Sequence, residues 1–306
     1  MYVFLLATLG MATIPRAEAT PLHTRVVSAT PLSMDHLIIG RGRCGGSTWV
    51  LTDAPSLIEV KTAKLANVIE TTSAPVRGFS RDERPWGLAC VGNRQLWTLV
   101  GYRTLAQLST SGEVIARMPL RQPHLNVFGA GDVLLLQRPP EAAGAPLLLS
   151  ARVADINRAL PWPGLTAPPQ AVKKTEIASG MVACGVGTGG SLPCWVATDT
   201  RIVVGDGVPD RTSVIKPEFL TNSAVDSATP LWDVAVTSSP VVWILTSAIG
   251  AEAGRRVGAR LAKSNLRGQL IASADLQPRV RLILSANERM ALVLTTLGTL
   301  VEVTTP

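Results

Sequence analysis

Pro85-Trp86-Gly87-Leu88-Ala89-Cys90-Val91 and Pro230-Leu231-Trp232-Asp233-Val234-Ala235-Val236 are two copies of one frame. Each ends in a short turn and leads to a second tryptophan, Trp97 or Trp243, 11 residues after the first. The strands that follow read Trp97-Thr98-Leu99-Val100 and Trp243-Ile244-Leu245-Thr246. Alternating or continuous apolar residues over such short runs, bounded by turn formers, signal β-strands.

The frame recurs. Trp49-Val50-Leu51-Thr52-Asp53 matches Trp195-Val196-Ala197-Thr198-Asp199, and Leu292-Val293-Leu294-Thr295 takes the tryptophan position near the C-terminus. A third strand follows at a near-constant offset. Leu57, Leu105 and Leu300 lie eight residues after Trp49, Trp97 and Leu292, and Ile202 lies seven after Trp195. Units centre near Trp49, Trp97, Leu135, Trp195, Trp243 and Leu292, roughly 40–60 residues apart. A small antiparallel sheet of that length cannot bury both faces alone, but sheets arranged around an axis bury them against one another. The expected architecture is an all-β, six-bladed β-propeller. The last unit supplies three strands, at 281–285, 291–295 and 299–304. The strand at 24–29 could complete that blade and tie the chain ends together. Tandem immunoglobulin-like sandwiches are the competing architecture, and the repeated tryptophan-centred unit favours the propeller.

This repeated strand–Trp–strand unit resembles the six-bladed propellers of the TolB-like and NHL-like kind, over nearly all of residues 20–306. That resemblance implies binding scaffolds, periplasmic assembly factors and some enzymes, so the fold leaves the function open.

Among the connections, 138–147 and 161–170 are rich in proline, alanine and glycine, and 161–170 reads as a loop crossing one face of the disc. The stretch 251–270 could be a helix, but Gly254, Gly258 and Gly268 interrupt it, so a long basic hairpin is expected.

Residues 3–14 are mostly apolar and precede Ala17-Glu18-Ala19, a pattern that suits a cleaved export signal, although no Lys or Arg precedes the run. The expected organisation is therefore a signal peptide at 1–19 and a single propeller domain at 20–306. No later segment is long and apolar enough for a transmembrane helix. Four cysteines, an even count, fit an oxidising compartment, periplasmic or secreted. They allow three connectivities. The loop Gly185-Val186-Gly187-Thr188-Gly189-Gly190 can bring Cys184 and Cys194 together, and Cys44 and Cys90 are the candidates for a second bridge.

Charged residues make up only 17% of the chain, and the net charge is +7. The densest basic region, 251–289, holds eight basic and three acidic residues. Aromatics do not interleave with these bases as a stacking platform requires, so a solvated surface is expected and no nucleic-acid partner. No Cys-x-x-Cys pair, Gly-x-Ser-x-Gly elbow or His-Glu-x-x-His helix occurs, and the chain has three histidines, so no metal site or cofactor is expected. The glycine-rich loop at 185–190 is followed by a strand where a phosphate loop needs a helix.

Two places could contact a ligand. Arg81-Asp82-Glu83-Arg84-Pro85-Trp86 precedes the first strand of a unit, where an innermost strand begins beside the axial channel, and Arg84 and Trp86 are the candidates. Trp232 and Asp233 take the equivalent place in another unit. Mutual charge pairing and packing of the tryptophans between blades is the simpler reading. Asp53 and Asp199 could ring a channel, but aspartates at strand ends commonly cap β-turns. The expected function is a non-catalytic extracytoplasmic scaffold that binds a protein or glycan on one face. The alternative is a propeller enzyme, such as a lactonase, lyase or glycoside hydrolase, whose acids converge on the channel.

Overall fold

The computed structural model describes residues 20–28, 37–62, 69–167, 182–196, 201–206, 208, 211–221, 231–239, 241–249, 256–276, 280–295 and 298–305. The expected signal segment, Asp199 and residues 168–170 lie outside the described residues.

After β1 (Thr20–Pro21) and β2 (His23–Ser28), the strands fall into six sheets. Sheet one holds β3 (Ile38–Cys44), β4 (Ser47–Thr52), β5 (Ser56–Thr62) and β6 (Ile69–Pro75). Sheet two holds β7 (Pro85–Val91), β8 (Gln95–Val100), β9 (Thr104–Leu108) and β10 (Val114–Pro119). Sheet three holds β11 (Asn126–Ala130), β12 (Val133–Gln137), β13 (Pro146–Arg152) and β14 (Leu160–Thr166). Sheet four holds β15 (Val182–Cys184), β17 (Leu192–Val196), β18 (Ile202–Gly205) and β19 (Thr212–Ile215), with the short β16 (Val186–Gly187) leaving it for its neighbour. Sheet five is built on β20 (Leu231–Val236), β21 (Val241–Ile249), β22 (Arg256–Asn265) and β23 (Leu270–Leu276). Sheet six holds β24 (Val280–Ala286), β25 (Met290–Thr295) and β26 (Leu300–Thr304), and β2 joins it. Helix is confined to a 3-10 turn at Val153–Arg158 and one turn at Glu218–Thr221 among the described residues.

Each apolar cluster lies between two consecutive sheets. Trp49, Leu51 and Leu57 of sheet one meet Leu88, Leu96 and Leu108 of sheet two. Trp97 and Leu105 meet Val127 and Leu134. Trp162 and Leu148 meet Cys194 and Val203. Trp195 and Ile202 meet Val234 and Ile244. Trp243 and Leu261 meet Ile283 and Val293. The series returns to its start where Leu284 and Leu292 of sheet six meet Val50 and Ile58 of sheet one. The chain is an all-β β-propeller. A buried tryptophan contributes about 150–250 Å² of apolar surface, which explains why this residue recurs at the strand that faces two neighbours.

The predicted unit centres Trp49, Trp97, Leu135, Trp195, Trp243 and Leu292 all lie on the second strand of a sheet, and all are buried. Leu57, Leu105, Ile202 and Leu300 all lie on third strands. The N-terminal strand pairs antiparallel with the last one, Val26 opposite Val301 and His23 opposite Thr304. Just before it, Thr20 and Pro21 pair in parallel with Ala272 and Ser273 on the outer edge of sheet five. Leu22, between these two pairings, is buried in the cluster shared by sheets five and six.

Two local expectations are corrected. The Pro161-Trp162-Pro163 stretch is not a loop over the disc: it lies in β14, with Trp162 opposite Leu148 and fully buried. An outer strand pairs on one side only, so prolines there need not interrupt a hydrogen-bond ladder. Part of the expected loop at 185–190 is strand, since Val186 and Gly187 pair in parallel with Ala235 and Val236. The stretch expected to be a basic hairpin is not helical: its described part is mainly one strand, β22, which pairs antiparallel with β21 on one side and β23 on the other, and residues 251–255 lie outside the described residues. Arg260 pairs with Asp275 on β23 at 2.7 Å, which neutralises part of its basic face.

Candidate functional site

The first strands of the sheets line the axis. Cys44 on β3 is bonded to Cys90 on β7, tying sheet one to sheet two at the channel. The second bridge, Cys184 to Cys194, lies within sheet four, where the two residues sit directly opposite one another. Gly185 must be glycine because a Cβ there would overlap the Val234 carbonyl of β20. That close approach lets β16 add to sheet five.

At the throat, β3 sends Arg41 across the axis. Its Nη1 and Nη2 donate to the two oxygens of Asp233 on β20, at 2.6 and 2.7 Å. Nη1 also donates to the Ile283 carbonyl on β24 (2.6 Å), and Nη2 to the Cys184 carbonyl on β15 (3.3 Å). Asp233 accepts in addition the backbone N–H groups of Val234 (2.9 Å) and Ile283 (2.5 Å). The side chains are 9% and 3% exposed. A planar guanidinium suits a bidentate carboxylate, and a buried ion pair is tolerated when its remaining lone pairs and protons are also bonded. Here one pair ties together sheets one, four, five and six. Its charges and hydrogen bonds are used within the protein, so its chemistry is that of a lock.

The lock divides the channel. The smaller mouth encloses about 340 Å³ and is lined by Ile38, Ile39, Leu88, Val127, Trp195 and Trp232, among others. The larger encloses about 720 Å³, at the ends of the same first strands, with Arg43, Phe128, Leu192 and Met290 on its wall. Arg41 borders both. Burial lowers the pKa of Arg43, and its Nη1 is buried with no hydrogen-bond partner.

Of the residues singled out in the sequence, Trp232 and Asp233 lie at the smaller mouth and the throat. Arg84 is exposed, Trp86 is 45% exposed, and neither lines a mouth. In the charged stretch before Trp86, Glu83 pairs with Arg117 of β10 (2.5 and 2.9 Å), and its pKa falls to about 2, chiefly through that bond. Asp53 accepts the N–H groups of Leu37 and Ala54, as a turn cap does. His124 is buried in the connection before β11, where burial lowers its pKa, and His23 is exposed on β2. Among the described residues no three His, Cys, Asp or Glu side chains converge as a metal site would.

Arg41 and Arg43 were not singled out from the sequence. The signal was present as Arg41-Gly42-Arg43-Cys44, two like charges at strand spacing inside an apolar unit. Locating the partner of Arg41 required the fold, because Asp233 lies 192 residues away.

No family model matches the chain, and no curated protein matches it. Solved structures do, through their folds. A member of the DUF4221 family from Bacteroides vulgatus superposes with a TM-score of 0.57 at 9% identity, over 94% of this chain and 96% of that one. A streptogramin B lyase gives 0.53 at 10% identity, over 93% and 98%. The WD40 repeats of RRP9 give 0.53 at 8%, over 94% and 99%. At such identities the likeness is one of fold, and similar folds here carry a lyase in one case and WD40 repeats in another.

Proposed function

We propose that the chain is an exported six-bladed propeller, residues 20–306 after a signal peptide at 1–19, acting as a non-catalytic extracytoplasmic binding scaffold. The observation that carries this reading is the throat. The carboxylate and guanidinium at the centre of the channel are bonded to each other and to backbone groups, so they hold the ring together and leave its ends for partners. The count of six blades rests on the six sheets and on the cluster that returns from the last sheet to the first. The extracytoplasmic address rests on the two disulfides. No helix among the described residues is long and apolar enough to cross a membrane.

Photo-crosslinking residues placed at Trp232 and at Met290, used in the native compartment, test the reading together with thiol alkylation. A scaffold gives adducts at one end of the ring, and its four cysteines alkylate only after reduction. Four free thiols in protein recovered from that compartment would remove the export half. An elimination or hydrolysis activity that vanishes when Arg41 and Asp233 are replaced by Met and Leu, in a protein that stays folded, would establish the enzyme reading instead.

A further inference from the structure

The larger mouth holds a positive charge that no ion pair answers among the described residues. On β3, Arg41 and Arg43 lie two residues apart and therefore share a face. Thr48, the cross-strand partner of Arg43, donates its Oγ1 to the Leu284 carbonyl at 2.6 Å, which turns this face toward β24. Arg41 uses its donors in the throat. Arg43, one turn of the pleat further out, makes no ion pair among the described residues, and its Nη1 is buried without a hydrogen-bond partner. A guanidinium offers five N–H donors, and burying a cation without an anion is costly. The lowered pKa of Arg43 has that cost as its cause. Among the described residues that line this mouth the one carboxylate is Asp132, exposed at the turn between β11 and β12. The cavity, about 720 Å³, falls within the size of small-molecule sites, roughly 300–1,000 Å³.

We propose that the larger mouth binds a small molecule bearing an oxyanion, a carboxylate or phosphate, seated on Arg43. This rests on the reading of the chain as a binding propeller and names the chemical class of its ligand. An oxyanion in the mouth gives the half-buried guanidinium the charge-assisted hydrogen bonds it lacks. The overall net charge of +7 favours the approach of such a ligand.

Calorimetric titration at constant ionic strength with sodium phosphate, pyrophosphate and succinate tests it. Saturable one-site binding of at least one of them is expected. A preference for the phosphates identifies a phosphate ligand, and a preference for succinate a carboxylate. Arg43→Gln should weaken binding about tenfold or more, the scale of hydrogen bonds to a charged group. Arg94→Gln removes an exposed rim arginine that donates to the Gly45 carbonyl, and binding should be close to unchanged. Asp132 is exposed at a turn, so Asp132→Asn decides the matter should Arg43→Gln not fold. It should tighten binding about twofold by removing a repelling charge. Failure of all three anions to bind the folded wild-type protein overturns the proposal. So does wild-type affinity in folded Arg43→Gln, unchanged or weaker binding in Asp132→Asn, or loss of binding in Arg94→Gln. In each case the scaffold reading survives, because its own test is cross-linking and alkylation.

Discussion

In sheet two the residue after the first tryptophan of the repeated frame is Gly87; in sheet five it is Asp233. Gly87 adopts a φ of +68°, and a Cβ there would overlap the Asn126 side chain of sheet three. Asp233 carries a carboxylate past sheet six to Arg41 of sheet one. The first tryptophans also part company, since Trp86 is exposed while Trp232 packs against the cluster between sheets five and six. The second tryptophans, Trp97 and Trp243, are buried alike. The frame thus preserves what holds two sheets together and varies what faces the channel. In sheet two the innermost strand closes against its neighbour, and in sheet five it reaches past sheet six to sheet one.

The hardest way to break this contrast is Asp233→Ala. It strands the Arg41 charge and the Ile283 N–H, and should cost about 3–5 kcal/mol in urea unfolding. Replacing both Arg41 and Asp233 by Met and Leu should recover most of that, because an apolar pair of similar volume is often no worse than a buried ion pair. A loss no larger than that of a surface substitution would show that the lock does not hold the sheets.

The disulfides come next. Cys44–Cys90 closes 46 residues and anchors sheet two to sheet one, whereas Cys184–Cys194 closes 10. On chain-entropy grounds, replacing the first pair by serines should cost about 4 kcal/mol and the second about 3. Equal midpoints for the two double variants would argue that geometry outweighs loop length. Trp86→Ala and Trp232→Ala differ less. The exposed Trp86 should change stability by no more than about 0.5 kcal/mol, and the half-buried Trp232 by about 1–2.

The smallest effects involve pH, and they fall around sheet two. Burial depresses the pKa of His124 below its ordinary 6.5, so the unfolded chain takes up that proton more readily. The stabilisation is complete above about pH 6.5 and declines as the pH falls, by at most about 1.4 kcal/mol per unit. His124→Gln should flatten that part of the stability profile. Glu83, held at about 2 by Arg117, contributes above its ordinary 4.5 and loses the contribution as the pH falls toward 2. Its NMR titration midpoint should return to the ordinary range in Arg117→Gln. A wild-type midpoint near 4.5 would mean that the pair does not form in solution.

These contrasts explain what was readable in advance. The spacing of the tryptophans, with Leu135 and Leu292 in their place in two units, located the second strand of every sheet and the third strand of four, because packing between sheets demands large apolar residues at a fixed register. Strand β14 was missed because its prolines look like loop formers until its position on an outer edge is known. Asp233 was singled out by its place in the frame, but Arg41 and Arg43 were not. Their meaning depends on which strands face one another around the axis, and no local period encodes that.

The pairing of β2 with β26 has a consequence in time. Arg25 and Glu302, bridged at 3.4 Å, stand 277 residues apart. During synthesis the early sheets can form neighbour by neighbour, but the seam cannot shut until β26 has emerged. Until then one flank of sheet six and the apolar face of sheet one lie open, and contacts of such long range are slow to form. The ring of sheets stays open until β26 has been made.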